Sequence, residues 1–542
     1  MTARRRTDHE IGRRALLSAG LASGAVLLPW VISGCAATAP TTASTPASAS
    51  STRPTTIPSV PVPPPGPELA NPPALRSVNG VLAVDLQARR AVVDLGVGHP
   101  VTTYTYGGTV PGSTWEMRAG DTLKVHLRND LPALPEAMNM MRPNRPHQWT
   151  TTNLHTHGLH VSPKAKADNP FLSVAPGTDF DIEIPLPKDH TAGLYWYHPH
   201  RHGATCQQLR AGMAGAIVVR GDIDEVPEVA AAKERMLFLQ AIEVGADYAL
   251  PDPIPDPTKA QAYFPRAHIF WTVNGTMNPT ITLYPGEVQR WRIANAAEGK
   301  LAGLRLAGHQ FHQIAWDGLT LTSPVTSDAL QLAAANRVEV LVQAGKPGTY
   351  TLVLDPGSSQ HPNMIGMESA SDDQSTQELA PRTVATIIVK GSGPTMSLPT
   401  SLPGYNPPIH PIAATRTVRY TVDRDPTGEF ISFGINGKPF ADANPPYQAK
   451  LGTAEEWTVV NDSDDQHVHS FHIHVNPYKV TAVNGKPLAV PVWRDTYLLP
   501  AGKGGSFTFQ TNFDDFTGTF VEHCHVVSHE DLGMMESIEV IA

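Results

Sequence analysis

Beyond residue 73 the chain alternates apolar and polar side chains over short runs. TLKVHLRN, EVQRWRIAN and RVEVLVQAG are examples, and Gly- and Pro-rich turns separate them. Period-two alternation of this length predicts β-strands with one buried face, and long helical periodicity is scarce. The pattern also repeats. Gly120 opens GDTLKVHLRN and Asn129 ends it, Gly286 to Asn295 spans GEVQRWRIAN, and Gly452 to Asn461 spans GTAEEWTVVN. Turns at Tyr106-Gly107, Asn274-Gly275 and Asn436-Gly437 lie upstream of the three copies. Successive copies start 166 residues apart, from Gly120 to Gly286 and from Gly286 to Gly452. A period that long is a whole domain and not a solenoid unit. The reading is an all-β protein of three similar β-sandwich domains, at 73–225, 226–400 and 401–542.

The first 72 residues depart from this pattern. Arg13-Arg14 precede a mildly apolar run ending in Ile32-Ser33-Gly34-Cys35. Residues 1–34 resemble a twin-arginine export signal, and Cys35 stands where a lipoprotein carries its lipid. Gly20, Gly24 and Pro29 weaken the run as a spanning helix. Residues 35–72 are Thr, Ser, Pro and Ala almost throughout, which predicts a disordered tether. The protein is therefore expected outside the cytoplasm, in the cell envelope, tethered through Cys35 or else released.

Length and charge narrow the picture. A chain of 542 residues is too long for one core. The formal net charge is -9, and the first 34 residues hold five Arg against two acids. The remainder carries 36 basic against 48 acidic residues, which argues against nucleic acid as a partner. Three cysteines, Cys35, Cys206 and Cys524, imply no disulfide framework.

The chemistry lies in four His-x-His pairs: His155/His157, His198/His200, His472/His474 and His523/His525. Side chains at i and i+2 of a strand share a face, so each pair can send two imidazoles into one cavity. Two pairs belong to the first domain and two to the third, which predicts a cavity between those domains. Imidazole suits copper, and eight of them suit three ions better than one. Cys524 lies between His523 and His525 and faces the other way. There it can join His469, His529 and Met534, two imidazoles, a thiolate and a weak thioether, which is the ligand set of a blue-copper site.

In these motifs the chain resembles the three-domain multicopper oxidases, the laccase-like copper enzymes. The resemblance covers nearly all of residues 73–542, including the spacing His-Cys-His-x3-His-x4-Met. It implies three cupredoxin-like Greek-key β-sandwiches and four copper ions. Type 1 copper would take His469, Cys524, His529 and Met534, and type 2 copper His155 and His472. The type 3 pair would take His157, His198, His200, His474, His523 and His525. The implied reaction is one-electron oxidation of a small-molecule or metal-ion donor, relayed through Cys524, His523 and His525 to reduce O2 to two waters. Glu530 and Asp168 resemble the family's acids for proton delivery or ligand orientation. Met534 implies a low-to-moderate potential, and the protein is expected to be monomeric.

Several residues call for plainer roles. His160 and His202 extend their motifs and read as neighbours of the cluster, and Cys206 as a buried thiol. His309 and His312 echo the third domain without a matching His-Cys-His, so the middle domain is expected to hold no copper. Asp317 and Asp495 read as structural, Met535 as packing. Met138, Met140, Met141, Met364 and Met367 are too few for a copper(I)-collecting segment. Phenols and aromatic amines are the leading donors, with copper(I) or manganese(II) the alternative. A copper-storage protein, or an envelope protein that has lost its coppers, ranks below both because the ligand set is complete. Copper nitrite reductases, usually of two domains, lack the four pairs.

Overall fold

The computed structural model describes residues 64–542, except 135–143, 145–147, 253, 257–260, 264–265, 356–379, 425, 427–429, 442–443 and 464–467. The export leader, Cys35 and the five methionines at 138, 140, 141, 364 and 367 lie outside the described residues.

One topology occurs three times. In the first domain the repeat strand Thr122–Asp130 runs parallel to Val81–Val93 and antiparallel to Asp179–Pro185. In the second, Val288–Asn295 lies between Lys233–Val244 and Arg337–Gln343 in the same senses. In the third, Thr453–Asn461 lies between Ile412–Arg424 and Ser506–Phe513. Each of these sheets faces a second, five-stranded sheet, and a separate apolar core fills each sandwich. The repeat's Gly is explained by its backbone. Gly120, Gly286 and Gly452 all have φ between 74° and 85°, where a Cβ is strained. The repeat's Asn closes the strand, since Asn129, Asn295 and Asn461 each accept a hydrogen bond from the backbone N–H two residues on.

Alternation gives the strands but not always the exposure. Val81–Val93 alternates buried and exposed residues as expected. Val288–Asn295 is buried throughout. Its polar positions face other protein: Arg290 and Arg292 donate to Glu339 at 2.8 and 2.6 Å, and both donate to Asp224.

Residues 64–72 were expected within the tether, yet they pack on the middle domain. Leu69 is buried in that core, its N–H donates to the Thr280 carbonyl, and Glu68 pairs with Arg235 at 2.8 Å. The Pro-rich stretch docks because one Leu and one Glu supply contacts that its composition hides.

The domains meet at a shared apolar cluster. Leu194 and Trp196 of the first domain pack there with Phe238 and Ala335 of the second and Val527 of the third. Buried polar ties reinforce it. Glu298 accepts from Arg210 at 2.7 Å and from the Ser528 N–H at 2.9 Å, which joins all three domains through one carboxylate.

Candidate metal centre

Four short strands present the histidines. His155–His157 pairs antiparallel with Gly193–His198, with His155 opposite His198. His469–Ile473 pairs with Gly518–Cys524, with His472 opposite His523 and Phe471 opposite Cys524. The two strand pairs come from the first and third domains and face each other. His155 stacks on His474 and His157 on His472, both at 3.9 Å between ring centres. All eight pair histidines are buried, none more than 2% exposed.

The ligand atoms converge in three groups. His157, His198 and His525 form one, His200, His474 and His523 another, and His155, His157 and His472 a third; within each, the atoms lie within 4.8 Å of one another. In the second group the Nε2 atoms of His200, His474 and His523 are 3.1 to 3.4 Å apart. Burial pushes His200 down to about 4 and His198 to about 3, and holds His474 well below the usual imidazole range. His523 Nδ1 lies 3.2 Å from the Cys524 carbonyl, His474 Nδ1 has no hydrogen-bond partner among the described residues, and the three Nε2 atoms converge as the ligands of one cation would.

The other ring nitrogens support this reading. His155 Nδ1 lies 2.9 Å from Asp168, His472 Nδ1 2.8 Å from the Asp495 carbonyl, and His198 Nδ1 2.8 Å from the Pro199 carbonyl. The Nε2 atoms of these three residues are buried and have no hydrogen-bond partner among the described residues. An imidazole anchored through Nδ1 with a bare Nε2 aimed inward is how a metal-ligating histidine is held. The donors therefore fit copper.

Cys524 faces the opposite side of its strand. Its Sγ lies 3.6 Å from His469 Nδ1 and 3.8 Å from His529 Nδ1. The three form a fully buried metal-type group of their own. Met534 is brought beside them by its backbone, whose carbonyl accepts from the Cys524 N–H at 3.0 Å. Burial pushes the Cys524 thiol up to about 12, so the thiolate needs a cation next to it.

The two predicted acids both reach the cluster. Asp168 accepts from His155 and, at 2.8 Å, from the Thr156 N–H; burial raises its carboxyl to about 7. Glu530 lies 3.0 Å from His523 Nδ1 and 3.7 Å from His200 Nδ1. Burial alone would raise Glu530, but the two imidazoles outweigh it and hold the carboxyl down to about 2. Asp495, read from sequence as structural, also touches the cluster. Its carbonyl fixes His472, and its carboxylate lies 3.6 Å from His157 Nε2. Thr496 Oγ1 sits 3.3 Å from both His157 and His472. Asp531 accepts from the Gly203 and Cys206 N–H groups across the domain boundary. Only chain neighbourhood could have flagged these residues, because no spacing rule singles them out.

His160, His202, Cys206, His309 and His312 belong to none of the converging groups. His160 bonds the Val475 carbonyl and Asp515, His202 packs on Phe440, and Cys206 is buried. His309 and His312 are engaged by Ala307, Gly345 and Thr326. Among the described residues, no metal-type group draws on the middle domain.

Three family models described as multicopper oxidase match the chain, over residues 88–223, 252–372 and 410–541. A multicopper oxidase of Staphylococcus aureus is 23% identical over 467 residues, covering 85% of this chain and 89% of that protein. A laccase of Bacillus stratosphericus is 25% identical over 493 residues, covering 82% and 91%. Among solved structures, a multicopper oxidase from Campylobacter jejuni described as a metallo-oxidase superposes with a TM-score of 0.68. It is 25% identical and covers 88% of this chain and 96% of its own.

Proposed function

The chain belongs to the multicopper oxidase family, and from that premise we propose that it is a laccase-like oxidase of phenols or aromatic amines. It is an oxidoreductase that uses copper. We assign four copper ions: one at His469, Cys524, His529 and Met534, one at His155 and His472, and a pair at His157, His198, His200, His474, His523 and His525. When bound, they supply one-electron oxidation of the donor and four-electron reduction of O2 to two waters. The observation that carries this reading is the strand ending in Cys524. The thiol joins His469 and His529, while its neighbours His523 and His525 join the converging imidazoles.

The protein's own residues divide the remaining work. Cys524, His523 and His525 give the two sites a continuous covalent connection. Asp168 and Glu530 hold ligand rings through Nδ1. Their opposite shifts separate their roles: Asp168 can carry a proton near neutral pH, while Glu530 stays a carboxylate that orients His523. Burial of all eight histidines keeps water off the cluster.

A metallo-oxidase acting on copper(I) or manganese(II) is the second reading, favoured by the likeness to the Campylobacter jejuni protein. Steady-state O2 uptake by copper-loaded protein with phenols, copper(I) and manganese(II) separates the two. No uptake with any donor at full copper loading would sink both. We also propose export through Arg13-Arg14 and anchoring through Cys35. Labelling with a palmitate analogue, lost in Cys35→Ala, tests the anchor.

A further inference from the structure

A cavity of about 610 Å³ opens between the middle and third domains. Its middle-domain wall includes Trp316 and Leu330, and its third-domain wall includes Val468, Arg494 and Leu499. The volume falls in the range of small-molecule sites, roughly 300–1,000 Å³, which favour domain boundaries. The copper ligands and their anchors do not need this space, apart from Thr496 at its inner edge.

Arg494 is the unusual group in it. Its guanidinium lies over the Trp316 ring at 4.5 Å and donates to the Trp493 carbonyl at 2.7 Å. Among the described residues Arg494 forms no ion pair. Asp317 and Asp495 are the nearest acids, but both are engaged elsewhere. Asp495 binds Arg337 through two bonds of 2.8 and 2.6 Å, and Asp317 accepts from Asn336 at 3.1 Å. The platform is fixed too, because Trp316 Nε1 donates to Gln313 at 2.7 Å and Gln313 donates to Ser327 at 2.8 Å.

A guanidinium with open donors, held over an indole, matches a planar carboxylate on its edge. The rest of the lining is largely apolar, with Leu301, Leu330, Leu499 and Pro500 around the Trp316 face. We propose that this cavity binds an aromatic carboxylate, with the acid group on Arg494 and the ring against Trp316 and the leucines. The site lies beside the type 1 strand, since Val468 precedes His469 and Leu499 is its register partner. The proposal does not depend on which donor the enzyme oxidises.

The test is calorimetric titration of the copper-loaded protein with 1-naphthoate, which reads binding without turnover, and with the neutral 1-naphthylmethanol. Saturable naphthoate binding is expected, at least tenfold tighter than that of the alcohol. Arg494→Gln should weaken naphthoate about tenfold or more and leave the alcohol unchanged. Ala329→Trp, which adds an indole from the cavity lining, should weaken both ligands and keeps the test open if the Arg variant does not fold. The proposal is overturned if wild type shows no saturable binding, if the alcohol binds as tightly as the acid, or if either variant binds naphthoate like wild type.

Discussion

Removing the Arg337 guanidinium should loosen the junction that positions His472. Arg337 is fully buried and belongs to the middle domain. It donates to both Asp495 oxygens at 2.8 and 2.6 Å and to the Leu194 carbonyl at 3.2 Å, so it touches all three domains. Asp495 in turn fixes His472 through its carbonyl. Breaking a buried pair from one side costs about 3–5 kcal/mol because the remaining charge is stranded. Burial already raises the Asp495 carboxyl to about 6, even with Arg337 lowering it. In Arg337→Met it rises further, so Asp495 takes up a proton and the cost sits near the lower end of that range at pH 6. A carboxyl whose folded pKa exceeds its unfolded value loses stability as pH rises from the unfolded pKa to the folded one. The gap between variant and wild type should therefore widen above pH 6, by up to about 1.4 kcal/mol per pH unit. Arg337→Met combined with Asp495→Asn should cost about 2 kcal/mol less than the two singles added together. Three-domain unfolding is not two-state, so the readout is native-state hydrogen exchange of the strand Thr496–Leu499. Additive costs, or a gap independent of pH, would refute the clamp.

Other perturbations test the site and the repeat. Cys524→Ser, loaded with copper, should lose its intense blue absorption and bind one copper fewer by elemental analysis; a protein that stays blue contradicts the type 1 assignment. Asp168→Ala releases His155 Nδ1 and should weaken copper at the His155/His472 site by about 10–100-fold, read by competition with a chelator and by electron paramagnetic resonance. His198 and His200 are held down to about 3 and 4, so copper content should persist on acidification to about pH 4, and a release midpoint near 6.5 would contradict this. The same shifts make the copper-free protein lose stability as pH falls below 6.5, because only the unfolded chain gains protons there. Asn295→Ala removes an amide NH2 whose two hydrogens are shared among the Lys300, Leu332 and Ala333 carbonyls. It should destabilise more than Asn461→Ala, since Asn461 Nδ2 has no partner among the described residues; equal losses in denaturant midpoint would argue against the repeat's Asn working through these bonds.

Much of the site was legible because its chemistry is written at the strand period. His-x-His places two imidazoles on one face whatever the surroundings, so the four pairs and the reversed Cys524 follow from spacing alone. The assignment of pairs to metals needed either a family resemblance or coordinates. What the sequence hid was the partner of each polar residue. The alternation in Val288–Asn295 predicts a strand correctly but gives no sign that Arg290 and Arg292 point into protein. Pro-rich composition likewise concealed the docking of Glu68 and Leu69. Both failures have one cause: period and composition report what a segment can bury, while long-range pairing decides what covers it.

Among the described residues the middle domain contributes no ligand to the cluster, and the geometry gives it a different task. The first and third domains meet where eight buried imidazoles converge, three of them with Nε2 atoms 3.1 to 3.4 Å apart. Bonds that need no metal also align the domains. Several run through the middle domain: Arg210 to Glu298 to the Ser528 N–H, and Leu194 to Arg337 to Asp495. Each spans all three domains, and each ends within two residues of a cluster ligand or its anchor, at Ser528 beside His529 and Glu530 and at Asp495 itself. The middle domain thus preorganises the cavity in which the imidazoles of the other two domains converge, and this is why variants at Arg337 should disturb His472 before any ligand is changed.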